Sequence, residues 1–426
     1  MAMQATRYTH PVTIFFLTLP YGISNGFVSV TLPFLLVQHR FSVATAAAIT
    51  AVGISANLWR FLWAPFTDLA LTLHKWYNIG VILCAATLIA LMFIPLKASS
   101  AMLLTVMIFV SQVAATLVVS PVGAFMAQTV AEDKKGRAGA GFQAGNLGGI
   151  TFGGAGIWLA THFSYAIATI VLTLTIMLCM LALRFVPKTE RVEHGAIGQK
   201  LRIMFRDIRA MFTSRLALFT MISLLFPIAG GAASFIWSSV GPDWHVGPDA
   251  ISLSTGALSG LATIVGCAIA GPIADKLGAW WVFLGASVLM GLSTLMMIVL
   301  PLTPLPFWIG VLAYSVISGI GNTGFSAVIL RAIGTELAAT RYAFMSSLGN
   351  IPVVYMTALD GSLHDTYRIQ GMLWGETLAG LGAAAIFAVG LKVFHILKEK
   401  APAAEPALVA EQTMAPTPLN DTEYRR

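Results

Sequence analysis

Between Lys276 and Arg331 the chain reads LGAWWVFLGASVLMGLSTLMMIVLPLTPLPFWIGVLAYSVISGIGNTGFSAVIL (residues 277–330), with no acidic, basic or histidine side chain. A spanning helix needs about 20 predominantly apolar residues. This stretch holds two, separated where Pro301, Pro304 and Pro306 interrupt it, since clustered prolines mark loops. The same pattern extends in both directions. Between Arg7 and Arg40 only His10 and His39 are ionisable, between Lys97 and Glu132 nothing is, and between Arg137 and Arg184 only His162 is. Over all 426 residues, 57% are hydrophobic and 10% charged, against about 25% charged in a soluble domain. Most of the surface therefore cannot face water. A soluble enzyme, a disordered chain and a nucleic-acid binder are excluded despite a net charge of +7.

The apolar blocks predict an all-α membrane protein with spans at about 12–37, 42–66, 76–96, 101–130, 138–161, 165–186, 214–239, 250–273, 279–300, 305–331, 341–360 and 370–396. Long apolar blocks exclude a β-barrel, whose signal is short alternating segments. With both termini cytoplasmic, the outer loops carry only Arg40, Lys97 and Arg368 of the 25 Lys and Arg residues. Positive charge concentrates on the cytoplasmic side of membrane proteins, which assigns that orientation. No cleavable signal peptide is expected, because the first apolar block is long enough to span. Cys84, Cys179 and Cys267 fall in separate spans without metal-ligand or disulfide spacing.

An internal repeat accompanies the spans. Trp63-Ala64-Pro65-Phe66-Thr67-Asp68 and Ala270-Gly271-Pro272-Ile273-Ala274-Asp275 share Pro-x-x-Asp at an offset of 207 residues. Glu132 with Arg137 recurs as Glu336 with Arg341 at an offset of 204, and Gly145-Asn146 recurs as Gly349-Asn350 at the same offset. Pro20 and Pro227 are again 207 apart. The chain thus divides into an N-terminal six-helix bundle (1–186), a linker (187–213), a second pseudo-symmetric six-helix bundle (214–397) and a cytoplasmic tail (398–426) whose Ala, Pro, Glu and Thr predict disorder. In the linker, Ile197, Leu201, Met204, Phe205, Ile208, Met211 and Phe212 recur at helical spacing among Lys200, Arg202, Arg206 and Arg209. That pattern suits a helix lying on an anionic membrane surface.

Two parallel six-helix halves joined by a basic linker are the pattern of the major facilitator superfamily, which the chain resembles across residues 10–396. Gly271-Pro272-Ile273-Ala274-Asp275-Lys276-Leu277-Gly278 is similar to its Gly-x-x-x-Asp-Arg/Lys-x-Gly loop, whereas the first-half loop ending at Asp68 lacks the glycines. Trp59-Arg60-Phe61-Leu62-Trp63-Ala64-Pro65, followed by Asp68, resembles a stretch of the muropeptide permease and acetyl-CoA transporter group, with Arg60 where that group has Lys. The superfamily resemblance implies a secondary transporter working by alternating access. The narrower one implies uptake of an anionic metabolite or cell-wall fragment across a bacterial inner membrane. Drug or metabolite export by the same fold is the alternative, and a membrane-embedded enzyme or receptor a distant third: no His-Glu-x-x-His, Gly-x-Ser-x-Gly or Walker motif occurs. No cofactor is expected. The expected partners are a small-molecule substrate, the bilayer and a proton, with the chain a monomer.

Asp68, Glu132, Arg137, Asp275, Glu336 and Arg341 sit at predicted cytoplasmic helix ends and are candidates for a gate, since ion pairs there would latch one arrangement of the bundles; the competing reading is ordinary interfacial charge. Arg60 lies eight residues before Asp68, roughly 12 Å deeper in the membrane. Two readings are open: contact with an anionic solute, or snorkelling to a cytoplasmic partner. Glu376 is the acid inside a predicted span and the candidate for coupling to protons, against a short snorkel to the outer surface. Tyr21, Ser24, Asn25, Gln112, Thr116, Gln143, Asn146, Trp237, Tyr314, Asn322, Asn350 and Tyr355 are candidates to line a central cavity, each weighed against an interhelical hydrogen bond. Pro20 and Pro227, with Gly22, Gly26, Gly230 and Gly231, are expected to let the first helix of each half bend. The glycines of 139–156 read as a close-packing helix face. The topology predicts that single cysteines at Ser99, His245 and Leu363 react with a membrane-impermeant thiol reagent added outside, while one at Gly195 does not; the opposite pattern would reject it.

Overall fold

The computed structural model describes residues 8–62, 71–131, 135–188, 202, 205–206, 208–333 and 338–398. Among these, all regular structure is helical. The chain runs through α1 (Pro11–Gln38), α2 (Val43–Ser55), α3 (Leu73–Met92), α4 (Ala101–Thr129), α5 (Lys135–Gly154) and α6 (Tyr165–Phe185), and then α7 (Arg215–Ser223), α8 (Ser259–Leu277), α9 (Ala279–Val299), α10 (Pro304–Ile333), α11 (Ala338–Leu348) and α12 (Asn350–Val393). Eight described stretches are long and apolar enough to cross a membrane, the last being Arg341–Val393. That run of 53 residues measures roughly 80 Å as helix, enough for two crossings. Local chemistry sets the helix starts. Ser42, Ser164 and Ser214 accept hydrogen bonds from Thr45, Ile167 and Ala217 backbone N–H groups, at 3.1, 3.1 and 3.3 Å, satisfying donors that the first turn leaves free.

Three features depart from the sequence reading. The expected loop over 361–369 is helical except at Arg368, whose φ of 59° and ψ of −163° fold α12 back on itself. No proline or glycine occurs at 362–370, so the helix continues until that one residue turns it. The expected span 214–239 is broken: α7 ends at Ser223 and regular structure resumes only as a 3-10 turn, Ala232–Phe235, and a short helix, Trp237–Val240. Pro227 removes a backbone donor, and Gly231 is left-handed with φ 67°, which a glycine adopts without steric cost. Pro20, by contrast, sits inside continuous helix, and α1 deviates only in a π-helical turn over Phe27–Thr31. In the linker, Ile208 and Met211 are buried while Phe205, Phe212, Arg202, Arg206 and Arg209 are exposed, and Met211 joins the core of the second half. Residues 189–201 and 399–426 lie outside the described set.

Two hydrophobic cores organise the chain. One is built wholly from residues 14–186. The other spans 211–396 and also takes in Val30, Phe34, Leu35, Val43, Ala47 and Ile157 from the first half. Those six lie toward the ends of α1, α2 and the α5 extension that are remote from the chain termini, here called the distal end. At the distal end Ser238 also donates to the Val30 carbonyl at 2.7 Å and Ser252 to the Gly154 carbonyl at 3.3 Å. The two halves are therefore packed together there.

Within the first half, α1 crosses α5 at backbone contact. A Cβ on Gly149 would stand 2.6 Å from the Gly22 Cα, closer than carbon atoms pack. Gly123 on α4 faces open space. Gly149→Leu is expected to force α1 and α5 apart at a cost of about 1–3 kcal/mol and lower the Tm in detergent, while Gly123→Ala leaves it unchanged or raised.

Candidate functional site

The break after α7 determines what its neighbours do. Unwinding inside an apolar environment strands backbone polar groups, and each must find a partner. The Ala233 N–H donates to Glu376 Oε1 at 3.0 Å, and the Leu225 carbonyl accepts from the Tyr355 hydroxyl at 3.1 Å. Both side chains come from α12. Glu376 is thus turned inward by a donor rather than snorkelling to the surface. Its second oxygen, Oε2, accepts from the Tyr314 hydroxyl of α10 at 3.2 Å. Tyr314 is fully buried and meets the Trp237 ring edge-to-face at 5.6 Å. Trp237 in turn meets Trp244.

Glu376 has a second acid as neighbour. Asp360, on the other arm of α12, is completely buried and lies close enough to Glu376 for the two acids to interact electrostatically. Among the described residues no nitrogen or hydroxyl donor reaches either Asp360 oxygen. An ionised carboxylate only accepts hydrogen bonds, so two such groups share a hydrogen bond only when one of them carries a proton. No Lys or Arg among the described residues pairs with either acid. The site is a pair of neighbouring acids, one of which, Glu376, is held by a tyrosine hydroxyl and a backbone N–H.

Asp360 also lies at the seam between the halves. A Cβ on the adjacent Gly361 would stand 3.0 Å from the Ala44 Cα and 3.1 Å from the Val43 carbonyl oxygen, both on α2. Sequence reading missed Asp360 because it ended the helix there. Carrying the helix through Gly361 would have placed the acid inside the span, four residues before His364.

The other candidates fall into separate groups. Tyr21 donates to Asn57 Oδ1 at 3.2 Å. Asn57 was not among the candidates, and its signal was its position one turn before Arg60. Arg60 is partly buried in the helical continuation of α2 and has no hydrogen-bond or ion-pair partner among the described residues. Beyond it, Phe61 meets Phe344 of α11 edge-to-face at 5.5 Å. Asn25, one turn after Tyr21, is partly buried. Gln112 instead donates to the Ser24 carbonyl and hydroxyl at 3.3 and 3.2 Å, and Thr116 donates to its own helix at 2.7 Å. Asn146 has a buried Oδ1 without a partner, and Asn350 donates to the Ser346 carbonyl at 2.9 Å. Gln143, Asn322 and Tyr355 are exposed. Of the gate set, Asp68, Glu132 and Glu336 lie outside the described residues, as do the side chains of Arg137 and Asp275. Arg341 is buried and donates to the Ile333 carbonyl at 3.0 Å, satisfying the C-terminal end of α10.

The profile of the Major Facilitator Superfamily matches residues 14–357. The chain belongs to the major facilitator superfamily. It is a membrane transport protein rather than an enzyme, built on this superfamily's helical fold. Solved structures of the same fold include a D-xylose-proton symporter, with a TM-score of 0.70, 10% identity, and 92% of this chain and 97% of that chain covered. The nucleoside transporter NupG follows, with a TM-score of 0.67, 11% identity, and 92% and 99% covered. No curated protein matches the chain by sequence. In this superfamily member, Tyr314→Phe retains the ring against Trp237 and removes one donor from Glu376. The expected cost is about 1–3 kcal/mol of stability, read as a lowered Tm in detergent without loss of helical signal by circular dichroism.

Proposed function

We propose that the protein is a secondary active transporter that takes up a small anionic solute together with protons by alternating access. The observation that carries this reading is the placement of two neighbouring acids, Asp360 and Glu376, in the interior without a Lys or Arg partner among the described residues and next to the seam of the two halves. Coupling needs an ion whose binding free energy differs between conformations. With the distal end packed shut, Asp360 is fully buried, and a second negative charge beside Glu376 has no cation among the described residues to compensate it. Opening the seam beside Gly361 would let water reach Asp360 and would favour proton loss. Proton loading and distal closure therefore stabilise each other.

The orientation follows the Lys and Arg distribution: both termini cytoplasmic, in a bacterial inner membrane, with the distal end outside. The Asp68, Glu132, Arg137, Asp275, Glu336 and Arg341 set then forms the cytoplasmic gate, in line with the latch expected from their paired recurrence. Arg60, unpartnered among the described residues beside Tyr21 and Asn57, supplies the positive charge that reads an anionic solute, since a guanidinium fork matches a carboxylate or phosphate. The Trp59–Asp68 stretch supports the muropeptide permease and acetyl-CoA transporter group as the source of that solute class. Trp237 and Tyr314, which would favour an aromatic drug site, are packed in the core instead.

The test is uptake into proteoliposomes with and without an inward proton gradient, using monocarboxylate, sugar-phosphate and muropeptide solutes and a neutral hexose. Wild-type protein should accumulate an anionic solute only with the gradient. Glu376→Gln and Asp360→Asn should lose gradient-driven accumulation by at least about tenfold while retaining solute exchange at equal concentrations. Arg60→Gln should lose anionic solutes selectively, and Arg60→Lys should keep part of their uptake. Accumulation that ignores the gradient, or that is unchanged in Glu376→Gln, would reject proton coupling; equal losses of charged and neutral solutes in Arg60→Gln would reject the anion reading.

A further inference from the structure

His364 stands one helical turn from Asp360 toward the distal surface, on the same arm of α12. The residue is 7% exposed. Its Nε2 lies 2.7 Å from Asp243 Oδ2, on the 3-10 turn Gly241–Trp244 that follows the broken seventh segment. Its Nδ1 is buried and makes no hydrogen bond among the described residues, with Asp365 Oδ1 3.7 Å away. The side chains of Asp243 and Asp365 are 36% and 32% exposed. The ionisable groups around the ring are therefore Asp243 from the facing turn, Asp365 on its own helix, and Asp360 one turn deeper, itself next to Glu376 on the returning arm. No Lys or Arg among the described residues pairs with any of these acids.

We propose that His364 is the port through which protons pass between the distal solution and the Asp360–Glu376 pair; the proposal rests on the coupling reading above. The chemistry follows from the two ring nitrogens. The neutral ring donates Nε2–H to Asp243 and leaves Nδ1 with a free lone pair. A proton arriving past the half-exposed carboxylates bonds to Nδ1 and gives an imidazolium held between Asp243 and Asp365. The Nδ1–H bond then breaks as an O–H bond forms on the Asp360 side, and the ring returns to neutral. Residues one turn apart have Cβ atoms about 5–6 Å from each other, a gap that one side-chain rotation or one intervening water closes. The Asp243 contact holds the ring in register.

The test needs no knowledge of the solute. Protein is reconstituted in one orientation and the pH of one compartment is dropped in a stopped-flow instrument while tryptophan fluorescence is followed. Trp237, in ring contact with Tyr314, and Trp244 report on the pair. The wild type should give a transient that disappears in Glu376→Gln. His364→Gln retains a donor for Asp243 but cannot carry a proton at a ring nitrogen; it should keep the amplitude and slow the transient by at least about tenfold. A jump applied from the distal side should be answered faster than one from the side of the termini. An unchanged rate in His364→Gln, or equal rates from both sides in the wild type, would overturn the port while leaving the proton pair in place. A transient that survives intact in Glu376→Gln would overturn both. The two-sided comparison in the wild type decides the matter even where the His364 variant does not fold.

Discussion

A backbone amide in hydrocarbon has no water to turn to, and the chain breaks helix after Ser223 in spite of that. The consequences organise much of the second half. One stranded group is answered by Glu376 and another by Tyr355, both from α12. A carboxylate recruited to cap a 3-10 turn is thereby carried into the interior. Asp360, on the other arm of the same folded helix, meets it there. A structural need of the backbone and the placement of an acid in the interior are met by the same side chain. The break is therefore tied to the position of Glu376, and repairing it with a continuous helix would leave that acid without the backbone donor that holds it.

The close approach of α1 and α5 plays a different part. Glycines along that crossing let backbones touch, which in a membrane supplies van der Waals contact where no hydrophobic drive separates helix from lipid. It makes the first half a tightly packed body. The seam between the halves is made in another way, by small residues such as Gly361 against α2 and by single hydroxyl-to-carbonyl bonds such as Ser238 to Val30. Each such bond is worth about 1 kcal/mol or less in a membrane. A seam of that kind can be opened by a modest change in charge nearby, and Asp360 is placed next to it.

Much of the architecture was legible in the residues. Charge-free blocks, the proline-marked breaks and the repeated Pro-x-x-Asp are local patterns, and hydrocarbon imposes its length requirement on each helix separately. The glycine-rich face of 139–156 was read for what it is, because small residues at helical spacing have one main use in a membrane. Glu376 was singled out as an acid inside a span, but its neighbours were not. Asp360 was lost to a helix end placed eight residues too early, where no proline marked a stop and the chain simply continued to Arg368. Pro20 and Pro227 look alike in the repeat, yet one sits in intact helix and the other in an unwound segment. The difference lies in what surrounds them, not in the prolines.

The sequence by itself determined that the chain lies in a membrane and that it is helical. Those properties depend on composition and periodicity within windows of a few turns. Only the tertiary structure decided that Tyr314, Asp360 and Glu376 form one site with the N–H of Ala233. These groups come from three separate segments, and only packing brings them within hydrogen-bond reach. It also decided that Tyr21 donates to Asn57, one turn before Arg60. A side chain's partners are set by which helices cross and at what depth, and hydropathy, which carries the membrane signal, is nearly blind to both.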